Sequence, residues 1–425
     1  MPPTRSLILS ENEFLPILER EAQPFFSATS VVNSFKEAPC DERAFFSLSV
    51  SAKELANFLE IHGALNNKRF GLLHGYCEEI CWLAKALSCL VFVVERKRAY
   101  PPFNKEWSLV ELPRHAEAAT ACVKEVLDQG INRFCEAWKK SGLNAPELPQ
   151  GAMAKIYPPQ PRLPADAFFQ EPEVSSPEFL EMAKYLSKLK RFFTDWDKKT
   201  TLRMNVGQDP SRWMKKYCTE AIARSFESRA HTLQNEYDTH LRGTSEEEFY
   251  QELPKVRGAV GQCFHLLESV TYLTHLYEKH YSNSEKNFEG RETLLTVLVN
   301  NILGPAYKSL ELVMPLVDEL LEETTQTSSI DLEVPENIQL HARPLSLIAS
   351  IVRHYGLDIR MSNGTKPANA ASFMEMLILV GSNPKLKKYT FSGDGRCLAD
   401  IAKLFELGLG EKDLESVRSA LPYLK

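Results

Sequence analysis

The stretch ENIQLHARPLSLIASIV, residues 336–352, sets one histidine directly before Ala-Arg-Pro and then a run of apolar residues at helical spacing. The segment ahead of it, IDLEVP at 330–335, alternates apolar and polar residues as a half-buried strand does. His341 therefore falls at a strand-to-helix junction, in the cap position of a helix that starts at Ala342. Such a junction leaves the first backbone N–H groups of the helix without partners, and together with the helix dipole they attract an anion. Ala342 is small, and Arg343 adds a positive fork that matches phosphate oxygens. Pro344 suits the first turn, where its missing N–H has no partner to lose. An imidazole that titrates near neutrality carries a nucleophilic nitrogen, so the constellation can accept a phosphoryl group without a metal.

Working outward, LDIRMSNG (357–364) and KKYTFSGDG (387–395) also alternate, each closed by a Gly-containing turn. A short strand is expected around Pro367 to Asn369. Helical runs start at Ala342, near Ala371 and near Cys397. The order strand, helix, strand, short strand, helix, strand, helix defines a small α+β domain over 330–411. The polar run EETTQTSS before it has no apolar periodicity and predicts a linker at 323–329.

On these residues the segment 330–411 resembles HPr, the histidine-containing phosphocarrier of the bacterial phosphoenolpyruvate-dependent phosphotransferase system. The resemblance rests on LHARP (340–344) followed by a helix, on SNGTKPANAASFMEML (362–377) and on the order of elements, and it covers about a fifth of the chain. The ending ADIAKLFELGLGE (399–411) is similar to the nitrogen-related branch of the family. The resemblance implies an open-faced β-sandwich, a four-stranded antiparallel sheet with three helices. It implies that His341 is phosphorylated on Nδ1 by an enzyme I-type donor protein, with Arg343 as phosphate partner and no cofactor. A downstream protein would then take the phosphoryl group or respond to it. Ser372 falls where some members carry a regulatory serine, although it also reads as a plain helix cap. Leu345, Phe373, Met374 and Leu377 would belong to an apolar docking patch. The chain departs from the family at Gln339, where Gly is usual, and at Leu345, where a small residue is usual. Both add bulk beside the accepting atom, which favours a competing reading as a scaffold protein whose HPr-like domain only docks partners.

The rest of the chain is expected to be all-α, over residues 1–322. Leu73, Tyr76, Ile80, Leu83, Leu87, Leu90 and Val94 recur at steps of three and four and line one face of a long helix. A second helix is expected from about Arg114 to Lys140, and others at roughly 210–241, 245–282 and 291–322, with Pro254, Pro305 and Pro315 as kinks or breaks. Eight prolines between 141 and 177 mark an extended crossing and a possible subdivision. Ser176 and Pro177 have the character of a cap and first turn for a helix whose stripe begins at Phe179. The tail 412–425 predicts one further helix.

Composition narrows the function classes. The 425 residues carry 50 Lys and Arg against 56 Asp and Glu, a net charge of -6, with no dense basic stretch to neutralise phosphates, so nucleic acid is not an expected partner. The nine cysteines form no Cys-x-x-Cys pair and several lie in apolar helical runs, which points to a reducing cytoplasm. The strongest apolar run, LSCLVFVV at 87–94, is too short to span a bilayer, and the amino terminus lacks the apolar core of a signal peptide. His74, Cys77 and Cys81 share a helix face, but a core role is favoured over metal binding. His265 with Glu268 and His275 with Glu278 read as ordinary surface pairs rather than a di-iron motif. No Gly-rich phosphate loop, nucleophile elbow or dinucleotide fingerprint is present, so the helical region has an expected architecture and no assigned chemistry.

Overall fold

The computed structural model describes residues 9–34, 41–95, 101–144, 179–200, 210–281, 291–364, 367–411 and 413–424. The subdivision expected in the proline-rich segment, with Ser176 and Pro177, lies outside the described residues apart from 141–144. The chain divides into two compact units. The first comprises residues 1–169, 196–234 and 257–312, and the second 170–195, 235–256 and 313–425.

Among its described residues the first unit contains helices and turns and no strand. Helices α1 (Glu11–Glu21), α2 (Gln23–Ser34), α3 (Glu42–Ile61), α4 (Gly71–Glu95) and α5 (Leu112–Lys140) run in succession. The α4 stripe forms as its spacing dictates, with Leu73, Ile80, Leu83, Leu87 and Leu90 fully buried and Tyr76 and Val94 at its margin. Each such leucine contributes about 1.5–3 kcal/mol relative to leaving it in water. Val123, Leu127, Phe134 and Trp138 of α5 are buried likewise. The same α4 also buries Glu78 and Glu79, whose charges are met by Lys53 and Arg133, each at 2.6 Å. Periodicity does not reveal such pairs.

Two of the later helical runs are interrupted where their pattern predicts continuity. The run expected at 210–241 is two helices, α7 (Pro210–Tyr217) and α8 (Glu220–His240), after α6 (Leu180–Thr200). Residues 245–282 divide into α9 (Ser245–Phe249), α10 (Leu253–Leu276) and a wider π turn at Tyr277–Tyr281. Residues 291–324 form one continuous helical run as expected, made of α11 (Arg291–Val297), a second π turn at Leu298–Leu303 and α12 (Gly304–Thr324). Pro254 occupies the first turn of α10, where no intrahelical N–H is lost, whereas Pro305 follows the second π turn within a continuous helical run and Pro315 lies inside α12. Phe179, expected in the α6 stripe, lies just before the helix at φ 47°, its ring packing on Phe249 and Tyr250 at 5.7 and 5.3 Å.

The second unit holds the sheet. Strands β1 (Thr327–Glu333), β2 (Arg360–Ser362), β3 (Ala368–Asn369) and β4 (Lys388–Asp394) form one antiparallel sheet in the order β1-β4-β2-β3. Helices α13 (Ala342–Tyr355), α14 (Phe373–Ser382) and α15 (Gly395–Glu406) alternate with the strands in the chain. Register pairs Ile330 with Phe391 and Leu332 with Tyr389, and Met361 also faces Phe391. Phe391, Tyr389 and Met361 share a core with Leu345, Ile348 and Val352 of α13 and Leu398, Ile401 and Leu404 of α15. Gly393 is required in β4: at its φ of 146° a Cβ would meet Ile359 Cδ1 at 2.5 Å and the Asp358 carbonyl at 2.8 Å.

The expected linker at 323–329 is instead the end of α12 and the start of β1. Its polar residues conceal a tertiary anchor. Asp394 caps α15, its carboxylate accepting from the Arg396 N–H at 3.0 Å and from the Gln326 N–H at 3.2 Å. Arg396 pairs with that carboxylate at 2.9 Å and donates to the Thr324 carbonyl at 3.1 Å, which closes the carboxy end of α12.

The tail folds back as helix α16 (Leu414–Ala420), burying Val417, Leu421 and Leu424. Tyr423 stacks on His354 with ring centroids 3.8 Å apart, and its hydroxyl shares the Asp400 carboxylate with that of Tyr355. Burial and then the nearby Lys184 hold His354 below the ordinary histidine value, against the opposing pull of Asp400 and Glu181. Because the unfolded chain takes up the proton first, the stabilising stack is intact above about pH 6.5 and weakens as pH falls through the lowered value. Amide exchange in 414–424 is expected to accelerate between about pH 7 and 5, and His354→Gln is expected to remove that pH dependence. An unchanged pH profile in the variant would show that another group controls the tail.

Among the described residues no helix is long and apolar enough to cross a membrane.

Candidate functional site

His341 is the cap residue of α13, extended at φ -124° and ψ -162°, and its carbonyl accepts the first helical hydrogen bond, from the Leu345 N–H at 3.2 Å. Its side chain makes no cap hydrogen bond. The first turn therefore keeps the Ala342 and Arg343 N–H groups open, Pro344 having none, and the positive end of a four-turn helix faces outward there. The imidazole is 54% exposed. Arg343 is exposed as well and makes no ion pair among the described residues. The elements expected for an anion site are thus adjacent, and their adjacency follows from local sequence alone.

A carboxylate that sequence reading missed completes the arrangement. Glu411 Oε1 lies 3.3 Å from His341 Nε2. That oxygen is buried and, among the described residues, has no hydrogen bond of good geometry. The residue is brought there by the turn after α15, where Gly408, Leu409 and Gly410 take positive φ values of 66°, 57° and 72° in succession. The only local signal was the pair of glycines in ELGLGE, which mark a turn but not its target.

Leu345 requires a correction. It is fully buried in the core, so its side chain neither crowds the imidazole nor offers itself to a partner. One position after Pro344, the 3.6-residue period turns it toward the sheet. Gln339 is exposed, on the solvent side of the junction. Of the other docking candidates, Met374 and Leu377 are 60% and 37% exposed and Phe373 is half-buried. Ile378, absent from the sequence reading, is the most exposed of the group at 68%. Ser372 caps α14, its hydroxyl accepting from the Glu375 N–H at 3.3 Å, while Glu375 reaches back to accept from the Asn369 N–H at 3.0 Å. That geometry is a sufficient structural reason for serine at this position.

The remaining candidates sit in the helical unit. Cys77 and Cys81 are buried on α4, and burial raises both thiols, that of Cys81 to about 11, so they pack as small apolar groups. His74 Nε2 is buried and, among the described residues, has no hydrogen bond. His265 does pair with Glu268, at 2.8 Å, and both line a cavity of about 280 Å³ with Lys85, Cys89 and Tyr272. His275 pairs with Glu220 at 2.9 Å, and Glu278 accepts from the Glu220 N–H at 3.0 Å. Among the described residues no group of three or more His, Cys, Asp or Glu side chains is arranged to hold a metal ion.

No protein-family model, no curated protein and no solved structure matches this chain.

Proposed function

We propose that the protein is a phosphoryl carrier or phosphorylation-dependent regulator in which His341 accepts a phosphoryl group from a phosphorylated protein donor of the enzyme I type. The observation that carries this reading is the exposed His341 imidazole, free of any cap bond, at an open helix amino terminus beside an exposed Arg343 that makes no ion pair among the described residues. Nδ1 attacks the phosphorus, the new N–P bond forms as the donor's bond to phosphorus breaks, and the donor group leaves with the electron pair. The developing negative charge is met by the Ala342 and Arg343 N–H groups, the helix dipole and the Arg343 guanidinium. A charge-assisted bond of this kind contributes about 1.5–3 kcal/mol, enough to hold a phosphoryl group without a metal. The resemblance of 330–411 to HPr supports the reading, as does a strand and helix order in which one four-stranded antiparallel sheet alternates with three helices. In this reading the Phe373, Met374, Leu377 and Ile378 surface of α14 docks the donor, whose apolar face would bury it. The protein then acts as a carrier and signal rather than an enzyme with a small-molecule substrate of its own. Bacterial origin and a cytoplasmic location belong to the same proposal.

The test is intact-mass spectrometry of the full chain after incubation with phosphoenolpyruvate and enzyme I, under conditions that spare acid-labile phosphate. One added phosphoryl group is expected in the wild type and none in His341→Ala. No gain from a donor that phosphorylates an ordinary HPr would overturn the carrier reading in favour of a docking domain that has lost transfer.

A further inference from the structure

We infer that Glu411 is a positioning residue that holds the His341 imidazole with its proton on Nε2, so that the lone pair of Nδ1 is the one presented to an incoming phosphorus. The inference rests on the carrier reading for its purpose, but its geometry stands apart from that reading. Glu411 Oε1 is buried without a good hydrogen bond among the described residues, a costly state for a carboxylate oxygen. The atom that approaches it is His341 Nε2, at 3.3 Å. A small rotation of the half-exposed ring turns that approach into an Nε2–H donation, and an imidazole that donates from one nitrogen leaves the other as acceptor.

The backbone around Glu411 is built to keep it there. Leu409 is a non-glycine residue in the left-handed region, a strained backbone state, and it is held by a fully buried side chain. Gly410 suits the left-handed φ of 72°, and a Cβ there would lie 2.8 Å from Leu347 Cδ1, the movable end of a side chain of α13. The turn is thereby pressed onto the helix that His341 caps. Beyond it, α16 and the residues after it anchor the chain through Val417, Leu421 and Leu424. The strain is local to the residues that deliver the carboxylate, as it is where a turn serves a site.

The chemistry follows from charge. As Nδ1 forms its bond to phosphorus, the ring acquires positive charge that is shared with Nε2–H, and the Glu411 carboxylate faces that charge. The proton stays on Nε2 throughout, and the phosphoryl group is exchanged between the donor and Nδ1 with no other reactant.

Two readouts on the full-length protein test this. In nitrogen-15 NMR the wild type is expected to show an exchange-protected Nε2–H proton at His341, lost in Glu411→Ala and retained in Glu411→Gln, whose side-chain carbonyl still accepts. With phosphoramidate as a small chemical donor, which needs no docking surface, both variants are expected to react at His341 on the order of 10- to 100-fold more slowly than wild type. Thermal midpoints close to wild type would exclude loss of fold as the cause. A wild-type Nε2–H signal lost in Glu411→Ala, with no phosphoryl uptake from any donor, supports the positioning contact and defeats the carrier reading. An Nε2–H signal absent from the wild type, or unchanged in Glu411→Ala, overturns the inference even if His341 is phosphorylated. Faster reaction in Glu411→Ala overturns it too, since Glu411 would then be a cover over the imidazole.

Discussion

Asp394→Ala is expected to destabilise the sheet-bearing unit by about 3 kcal/mol, the cost of removing a helix cap together with one partner of a buried ion pair. The residue is only 3% exposed, and its carboxylate serves four donors at once: the Gln326 and Arg396 N–H groups and two guanidinium nitrogens of Arg396. Alanine would leave the Arg396 guanidinium, 14% exposed, with the Thr324 carbonyl but without its counter-charge. Asn keeps the cap and loses the charge, so Asp394→Asn is expected to cost less than alanine. Amide exchange in β1 and β4 reads the effect, with about 3 kcal/mol appearing as a roughly 100-fold loss of protection. Burial alone raises the Asp394 carboxyl, but Arg396 and the two backbone N–H groups outweigh it and hold it below the usual carboxylate range. Its stabilising contribution is therefore complete above about pH 4 and is lost as pH falls through the lowered value. Protection that survives Asp394→Ala would mean that the strand ends are held by the core alone.

The second large effect concerns Leu345. Leu345→Ala is expected to cost about 2–5 kcal/mol, the range for truncating a fully buried leucine in a core that relaxes only partly, because its side chain is 0% exposed among Ile348, Met361 and Phe391. Chemical denaturation of the full chain reads this as a lowered midpoint with an unchanged slope. Gln339→Gly, at the neighbouring departure from the HPr pattern, is expected to change stability by less than about 1 kcal/mol, because its side chain faces solvent. Paired in this way, the two substitutions separate packing from access. If Leu345→Ala left stability unchanged while altering phosphoryl uptake, the leucine would belong to the site and not to the core.

Residue patterns carried much of the architecture because the contacts involved are close in sequence. A 3.6-residue period is enough to place the buried stripe of α4, and the change from helical spacing to alternation after 329 is enough to announce a small sheet. The helix start at Ala342 was equally legible, since a cap, an open first turn and Pro344 are all neighbours in the chain. Leu345 shows the limit of matching positions to a family pattern, for its facing is decided by helix phase against the sheet. The apparent linker at 323–329 shows another, because polar residues read as solvent-facing until Asp394 and Arg396, far along the chain, claim their backbone groups. Glu411 shows it most clearly. Nothing in ELGLGE names His341 as its neighbour, and only a turn with three consecutive left-handed residues, pressed against Leu347, sets that carboxylate beside the imidazole. What the sequence by itself determined was which segments coil, which alternate and which histidine caps an open helix. Tertiary structure alone decided what surrounds that histidine, because burial and charge pairing are properties of residues that meet only when distant segments close on one another.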